Sequence, residues 1–241
     1  MNYPFFIILL GFLPSFIWLL FFLRKDSNPE SKLMILKIFS FGMLSPLPLL
    51  LIFVLLLDLL AIRDNFNAFI NSSLSIFTLY VFFMATAEEV LKYLAVQINL
   101  KNSELDEPID AMIYMIVAGL GFAALENILI LFEAHPVFVL PEIIILAFLR
   151  FISATFLHAL CSGLIGYFLA LSFFENKNSK KLLMTGLIIA SLLHGLYNFA
   201  ILIIGGILGA IIVIIIFICL FIFLLFAFKD LKKIKSICKT I

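Results

Sequence analysis

Seven long apolar stretches constrain the fold more than any other feature of the sequence. Each is at least about 20 residues long, the length that an α-helix needs to cross the ~30 Å hydrocarbon core of a bilayer. Hydrophobic residues make up 65% of the 241-residue chain, and charged residues only 13%. The stretches are residues 3–23, 38–60, 74–98, 111–132, 143–174, 182–204 and 207–228. We therefore expect an all-α, polytopic transmembrane helical bundle that forms one domain over residues 1–241.

The basic residues between these stretches are distributed unevenly. Thirteen of them fall in alternate connections and in the C-terminal tail, whereas the other connections hold only Arg63. The thirteen are Arg24, Lys25, Lys32, Lys37, Lys101, Lys177, Lys180, Lys181, Lys229, Lys232, Lys233, Lys235 and Lys239. Because cytoplasmic loops carry the excess of Lys and Arg, we expect the N-terminus outside the cell membrane and the C-terminus in the cytoplasm. The first stretch has no basic segment before it and no small-residue cleavage site, so we expect a retained helix rather than a signal peptide.

Several polar residues interrupt the apolar stretches near their middle. They are Glu88, Glu89, Lys92, Glu126, Asn127, His158, His194 and Asn198. An ionisable group at bilayer depth costs at least ~2.5 kcal/mol to insert, so such groups usually face an internal cavity and have a function there. At ~1.5 Å per residue, the glutamates and histidines lie about 15 to 24 Å from the cytoplasmic ends of four different helices. We expect them to converge on one polar cavity, as in an intramembrane enzyme.

The spacing within two of the stretches adds to this expectation. Glu88 and Lys92 stand at i,i+4, which lets a carboxylate and an ammonium pair, while Glu89 points about 100° away and shares that partner less well. Two adjacent carboxylates can divide the work of amide hydrolysis, one as the base for water and the other as the acid for the leaving amine. His194 and Asn198 are also at i,i+4 and could donate hydrogen bonds to an oxyanion.

The same residues have plainer structural interpretations. Glu88 and Lys92 could form a neutralised ion pair that only stabilises the fold. Glu126 with Asn127 could cap a kink or bond across helices, and His158 could be a satisfied interhelical donor. Taken together, the residues favour a catalytic site over these separate roles.

Two further features bear on the shape of the bundle. Pro46 and Pro48 should kink the second stretch and could open the bundle sideways. Arg150, in the fifth stretch, lies within reach of Glu126 or Asp110 if the helices pack as neighbours.

The polar residues could act with or without a metal ion. Two histidines and a glutamate from separate helices could bind zinc, with a remaining carboxylate as the base. The sequence lacks the His-Glu-x-x-His spacing of many zinc proteases, and His194 is paired with Asn198, a poor zinc ligand but a good oxyanion donor. We favour no cofactor: Glu88 activates water, Glu89 holds or relays its proton, and the histidines with Asn198 stabilise the oxyanion. Zn²⁺ is the alternative.

At these residues the chain resembles the PrsW family of membrane proteases, within the larger group that includes the CAAX prenyl endopeptidases. That group shares a Glu-Glu-x-x-x-Arg or Glu-Glu-x-x-Lys motif, a later histidine and a final His-x-x-x-Asn/Asp motif. In this chain they are Glu88-Glu89-Val90-Leu91-Lys92, His158 and His194-Gly195-Leu196-Tyr197-Asn198. Residues 121–127 are similar to the Gly-Phe-x-x-x-Glu-Asn helix of the PrsW family. Residues 24–30 are similar to that family's turn ending in Pro-Glu-Pro, with Ser31 in place of the last proline.

The resemblance implies a membrane-embedded endopeptidase that cleaves a membrane-anchored protein, such as an anti-sigma factor or another single-span protein. It covers residues 13 to about 204 as the protease core and leaves an additional helix and a basic tail at 207–241. The residues to which it assigns catalysis are Glu88, Glu89, His158 and His194, with Asn198 supporting them and Glu126 as a further candidate.

Two other classes of function are open at the level of sequence. Intramembrane carboxylates and histidines also carry ions, so an ion- or proton-coupled transporter is the main alternative, although no paired inverted repeats are visible. A non-catalytic relative that acts as an immunity or scaffolding protein is the second. The lipid bilayer is an expected partner. Nucleic acid is not, because topology and anionic lipid already explain the basic tail.

Overall fold

The chain folds into a bundle of membrane-length helices. The structure is a computed structural model that describes residues 3–25, 28, 30–59, 73–100, 107–174 and 179–234. In these ranges the α-helices are α1 (Tyr3–Leu23), α2 (Lys32–Leu44), α3 (Pro46–Leu59), α4 (Leu74–Leu100), α5 (Pro108–Ala134), α6 (Leu140–Ile152), α7 (Ala154–Phe174), α8 (Ser179–Phe199) and α9 (Gly206–Leu231). Seven helical segments are long and apolar enough to cross a membrane, which confirms the predicted all-α bundle.

Some of the residues used in the sequence analysis lie outside the described ranges. Among the basic residues these are Arg63, Lys101, Lys177, Lys235 and Lys239. Asp26, Ser27 and Pro29 of the turn similar to the PrsW family also lie outside them.

The second predicted span changes helix near its middle. α2 ends at Leu44, and the Ser45 hydroxyl donates a hydrogen bond to the Gly42 carbonyl at this end. Pro46, the first residue of α3, has no N–H with which to continue the backbone ladder. The predicted kink is therefore confirmed as a break between α2 and α3.

The fifth predicted span is longer than expected and is also broken. It covers the 35 residues of Leu140–Phe174 and breaks at Ser153, between α6 and α7. An unbroken helix of this length would extend about 52 Å, far more than the hydrocarbon core. Trp18 of α1 stabilises the break, because its indole N–H donates to the Phe151 carbonyl (3.0 Å) and its ring stacks on Phe156 at 4.4 Å between centroids. Carbonyls in the last turn of a helix need such a partner.

The boundary between the sixth and seventh predicted spans is confirmed at a pair of glycines. After α8 the chain makes a π-helical turn over Ala200–Ile204. Gly205 and Gly206 then adopt φ angles of 61° and 53°. This left-handed region favours glycine, so the pair ends the π-helical turn and separates it from α9.

α5 is the central helix of the bundle. Most of its residues are buried, and it packs against α1, α2 and α7. A Cβ atom on Gly119 would collide with Ser162 of α7, and one on Gly121 would collide with the Phe39 carbonyl of α2. Small residues at such crossings let membrane helices approach closely. This packing fixes the position of Glu126, which lies farther along the same helix.

Candidate active site

Four helices bring the predicted glutamates and histidines together inside the bundle. α4 packs against α5 and α8, and α7 packs against the same two helices. Glu88, Glu89 and Lys92 lie on α4, Glu126 on α5, His158 on α7 and His194 on α8. The polar residues therefore form one cluster instead of facing lipid separately.

Lys92 lies at the centre of this cluster and is fully buried. Its Nζ atom is 2.7 Å from Oε1 of Glu89 and 2.7 Å from Nδ1 of His158. It also lies 4.8 Å from the centre of the Phe122 ring. The expected pairing of Lys92 with Glu88 is therefore wrong. Positions i+3 and i+4 are both neighbours on a helix, and here the ammonium points to the buried side of α4, which Glu89 shares.

Glu89 also contacts His194. Oε1 of Glu89 is 2.7 Å from Nδ1 of His194, on the opposite helix α8. A carboxylate at Nδ1 fixes the orientation and the tautomer of an imidazole, and it turns Nε2 in the other direction. That atom, His194 Nε2, lies 3.7 Å from Oε2 of Glu88.

Glu126 is held between a histidine and an arginine. Its Oε2 atom lies 2.7 Å from Nε2 of His158 and 3.0 Å from Nη2 of Arg150 on α6. The sequence offered Glu126 and Asp110 as partners of Arg150, and the ion pair in the structure is with Glu126. Asp110 instead accepts a hydrogen bond from the backbone N–H of Glu107 (2.7 Å) at the start of α5.

A short chain of hydrogen bonds supports Arg150. Nε of Arg150 donates to Oδ1 of Asn127 at 2.6 Å, and Nδ2 of Asn127 donates to the Thr155 hydroxyl at 2.9 Å. These bonds connect α5, α6 and α7 directly around the break at Ser153. Asn127 therefore positions Arg150. The sequence offered Glu126 as one of two partners of Arg150, but it did not predict this support.

Asn198 is the predicted site residue that does not join the cluster. It lies one turn after His194 and is half-buried. Among the described residues its side chain makes no hydrogen bond. The regular helix ends at the next residue, Phe199, where the π-helical turn begins.

A cavity of about 180 Å³ leads to the cluster from one side. Glu88 and Glu126 both line it, together with the ring of Phe122. The two histidines lie behind these carboxylates and are almost fully buried. Oε2 of Glu88 has no hydrogen-bond partner among the described residues, although the atom is buried. A buried oxygen of this kind usually binds water or an ion.

The chemistry of the cluster fits a metal ion in its donor set. Glu88, His158 and His194 can each offer one ligand atom, and these atoms lie within 4.8 Å of one another. Two imidazoles and a carboxylate are the protein ligands of many catalytic zinc sites, and Glu89 on Nδ1 of His194 is a typical supporting contact. In this structure both ring nitrogens of His158 already have partners, which are Lys92 and Glu126.

Comparisons with known proteins find similar sequences over most of the chain. The family described as PrsW family intramembrane metalloprotease matches residues 30–226. Protease PrsW of Bacillus subtilis is 31% identical over 197 residues, which are 80% of this chain and 81% of that protein. Protease PrsW of Oceanobacillus iheyensis is 30% identical over 190 residues, 78% of this chain and 80% of that protein. Protease PrsW of Geobacillus kaustophilus is 28% identical over 184 residues, 76% and 73% of the two chains.

No solved structure matches the chain. The sequence left three classes of function open: a membrane protease, a transporter and a non-catalytic scaffold. The relatives favour the membrane protease. The matched region contains every residue of the cluster described above. The apolar helices, the buried glutamates and histidines and the extent of these matches lead to one conclusion: the chain is a multi-pass membrane protein that belongs to the PrsW family of intramembrane proteases.

Proposed function

We propose that the chain is an endopeptidase that hydrolyses a peptide bond of a membrane-anchored protein, with Glu88 as the base that activates water. The observation that carries this proposal is the buried Oε2 atom of Glu88. Glu88 lines the cavity, and its Oε2 atom has no protein hydrogen-bond partner among the described residues and lies 3.7 Å from Nε2 of His194. A general base must lie beside the space in which water and the substrate carbonyl can meet.

The reaction would follow from the contacts of these side chains. Glu88 takes a proton from water, and the oxygen of that water attacks the carbonyl carbon of the peptide bond. An N–H at Nε2 of His194 would stabilise the oxyanion, because a donor fixed in a dry site needs no reorganisation. His158 would support the site indirectly, since Lys92 and Glu126 already hold both of its ring nitrogens. Glu88 then returns the proton to the leaving amine as the carbon–nitrogen bond breaks.

The contacts of Glu89 support a different role from the proton relay expected from the sequence. One oxygen of Glu89 contacts both Lys92 and His194. A carboxylate held by an ammonium and an imidazole is suited to stay ionised and to orient both partners. We infer that Glu89 positions His194, and that Lys92 positions His158 in the same way.

Glu126 is the second carboxylate at the cavity. Arg150 and His158 hold it in place, and its side chain is 30% exposed. This exposure leaves it in reach of a substrate, so Glu126 could orient the peptide or exchange a proton with the leaving group. Asn198 could join the site only if its side chain turned toward the oxyanion.

A zinc ion is the alternative means of activating water. Glu88, His158 and His194 would hold it, and the bound ion would polarise the carbonyl and make its water more acidic. Glu126 would then be the carboxylate left at the cavity to accept a proton. The family description names a metalloprotease, and the contacts of His158 favour the metal-free mechanism.

The proposed substrate is a membrane-anchored protein with a single span, of the anti-sigma-factor type or another type. The names of the relatives support a protein substrate, and the position of the cluster inside apolar spans supports one in the membrane. The anti-sigma-factor type comes from the resemblance to the PrsW family. We further propose that the N-terminus lies outside and the C-terminus in the cytoplasm, because of the loop charges.

The proposal is tested by cleavage of single-span proteins in vesicles that contain the purified chain. Glu88→Gln keeps the shape of the side chain but removes the base, and we expect cleavage to fall by at least ~100-fold. The melting temperature should change little, since Oε2 of Glu88 has no protein hydrogen bond to lose. Glu133→Gln, at an exposed position near the end of α5, is the matched control and should cleave normally. Cleavage by Glu88→Gln at the unmodified rate would refute the assignment of the base.

A further inference from the structure

The cavity that reaches Glu88 and Glu126 is walled by three helices. α3, α4 and α5 each contribute one face, and apart from the two carboxylates the walls are apolar. The apolar residues that matter here are Leu49, Leu50, Phe83, Met84, Leu91 and Leu129. A polar floor beneath apolar walls is the usual form of a site that binds an apolar group beside a reacting one.

The rim of the cavity is apolar as well. Leu50 is 47% exposed, Phe83 65% and Leu129 44% when the chain is considered alone. All three belong to segments long and apolar enough to cross the membrane. Large apolar side chains exposed within a span face lipid, so the mouth of this cavity opens toward the bilayer rather than toward water.

Among the residues that the structure describes, α3 is the wall with the fewest neighbouring helices. Its described residues pack mainly on α2, from which the break at Ser45 separates it, whereas α4 and α5 pack against several helices. Movement of α3 about this break would widen the cavity without disturbing the cluster on α4, α5, α7 and α8. Such a movement would open lateral access between α3 and α4.

The size of the cavity limits what can occupy it. An α-helix with its side chains is ~10–12 Å across and does not fit into about 180 Å³. A substrate segment must therefore unwind locally and insert single side chains. An amide side chain would lose its water and find no partner on these walls, an acidic one would in addition face the two carboxylates, and a small one would leave a void.

We propose that this cavity is the specificity pocket of the protease, and that it receives a large aliphatic side chain directly beside the cleaved bond. The substrate is a membrane-anchored protein whose unwound segment enters from the lipid between α3 and α4. The inference rests on the proposed function, because the carboxylates at the floor are the ones that would act on the bond.

The test uses one single-span protein that the chain cleaves, with the cleaved bond located by mass spectrometry. The residue on each side of that bond is changed in turn to Leu, Ile, Met, Ala and Asn, and kcat/KM is measured in vesicles. On one side, we expect Leu, Ile or Met to be cleaved roughly 10- to 200-fold better than Ala or Asn, the range for a hydrophobic pocket.

Variants of the pocket give a matched comparison. Met84→Trp fills the cavity and should reduce cleavage of the Leu substrate while sparing the Ala substrate, so that the preference narrows or reverses. Met184→Trp makes the same change at an exposed position on α8, away from the cavity, and should keep the original preference. Leu129→Phe fills the same space from α5 and serves if Met84→Trp does not fold.

The outcomes separate the pocket from the activity. Cleavage that does not depend on the size of the side chain would refute the specificity pocket but not the protease activity. The same conclusion would follow if Met84→Trp and Leu129→Phe changed cleavage of the Leu and Ala substrates equally. Cleavage of no membrane-anchored protein by the unmodified chain would overturn the proposed function and this inference with it. The pocket and the protease activity are both supported if the chain prefers Leu, Ile or Met, if Met84→Trp reduces that preference, and if Met184→Trp leaves it unchanged.

Discussion

The Nζ atom of Lys92 lies 2.7 Å from Oε1 of Glu89, and both side chains are fully buried. An ion pair so far from water is costly to form. Removing only one partner is costlier still, because it leaves the other charge buried and uncompensated. The pair also joins His158 to His194, since Lys92 contacts the first and Glu89 the second.

We therefore predict that Lys92→Met destabilises the protein by about 3–5 kcal/mol, because Glu89 loses its counter-charge. Thermal unfolding in detergent measures the change. In the double variant Lys92→Met/Glu89→Gln no charge is left unpaired, so its loss should be smaller than the sum of the single losses. Lys181→Met, at an exposed position near the start of α8, is the control. Strict additivity in the double variant would show that the two residues act independently.

A second prediction concerns Arg150, whose Nη2 atom lies 3.0 Å from Oε2 of Glu126. In Arg150→Met, Glu126 loses this support and can move, and a displacement of 1 Å in an active site can cost about 100-fold in rate. Arg150→Lys should lose less of the cleavage rate than Arg150→Met, because it keeps the positive charge beside Glu126. It should still cleave more slowly than the unmodified protein, because it loses the hydrogen bond to Asn127. Cleavage rates in vesicles measure both variants.

The matched control for Arg150 is Arg24→Met, at an exposed position after α1, which should cleave normally. Melting temperatures separate lost positioning from lost folding. If Arg150→Met cleaved at the unmodified rate, Glu126 would not need its arginine, and its place in the site would be in doubt.

The sequence predicted the existence of this cluster for physical reasons. Glutamates and histidines are too costly in lipid to occur at one depth on four spans by chance, so their convergence could be inferred from depth alone. Rotation about the helix axis could not be inferred. Each residue advances about 100° around a helix, so the rotation of α4 decides whether Glu88 or Glu89 lies on the buried side, toward which the Lys92 ammonium also points.

Of the two helix breaks, one could be predicted from the sequence and the other could not. Pro46 has an intrinsic effect on the backbone, and the sequence therefore predicted the change of helix after Ser45. The break at Ser153 has no proline or glycine beside it. Trp18, which is distant in sequence, donates to the Phe151 carbonyl at this break, and only the fold reveals that contact.

A third prediction concerns the orientation of the bundle. The loop around Val137, between α5 and α6, should lie outside, and the end of the chain should lie in the cytoplasm, because the basic residues concentrate on the second side. Alkaline phosphatase fused after Val137 should be active, and a fluorescent protein fused after Ile241 should fluoresce. Each reporter should be silent at the other position. If one reporter were active at both positions, the count of seven spans would be wrong. If alkaline phosphatase were active only after Ile241 and the fluorescent protein only after Val137, the orientation would be the opposite of the predicted one.

The last prediction concerns metal dependence. Lys92 brings a positive charge to 2.7 Å from Nδ1 of His158, and Glu126 contacts Nε2 of the same ring. A divalent ion at His158 would have to displace one of these partners, and a fixed ammonium nearby repels it. We therefore expect the purified protein to remain active after exhaustive chelation and to contain no stoichiometric zinc. Activity lost on chelation and restored by Zn²⁺ alone would instead assign Glu88, His158 and His194 as metal ligands and transfer the role of base to Glu126.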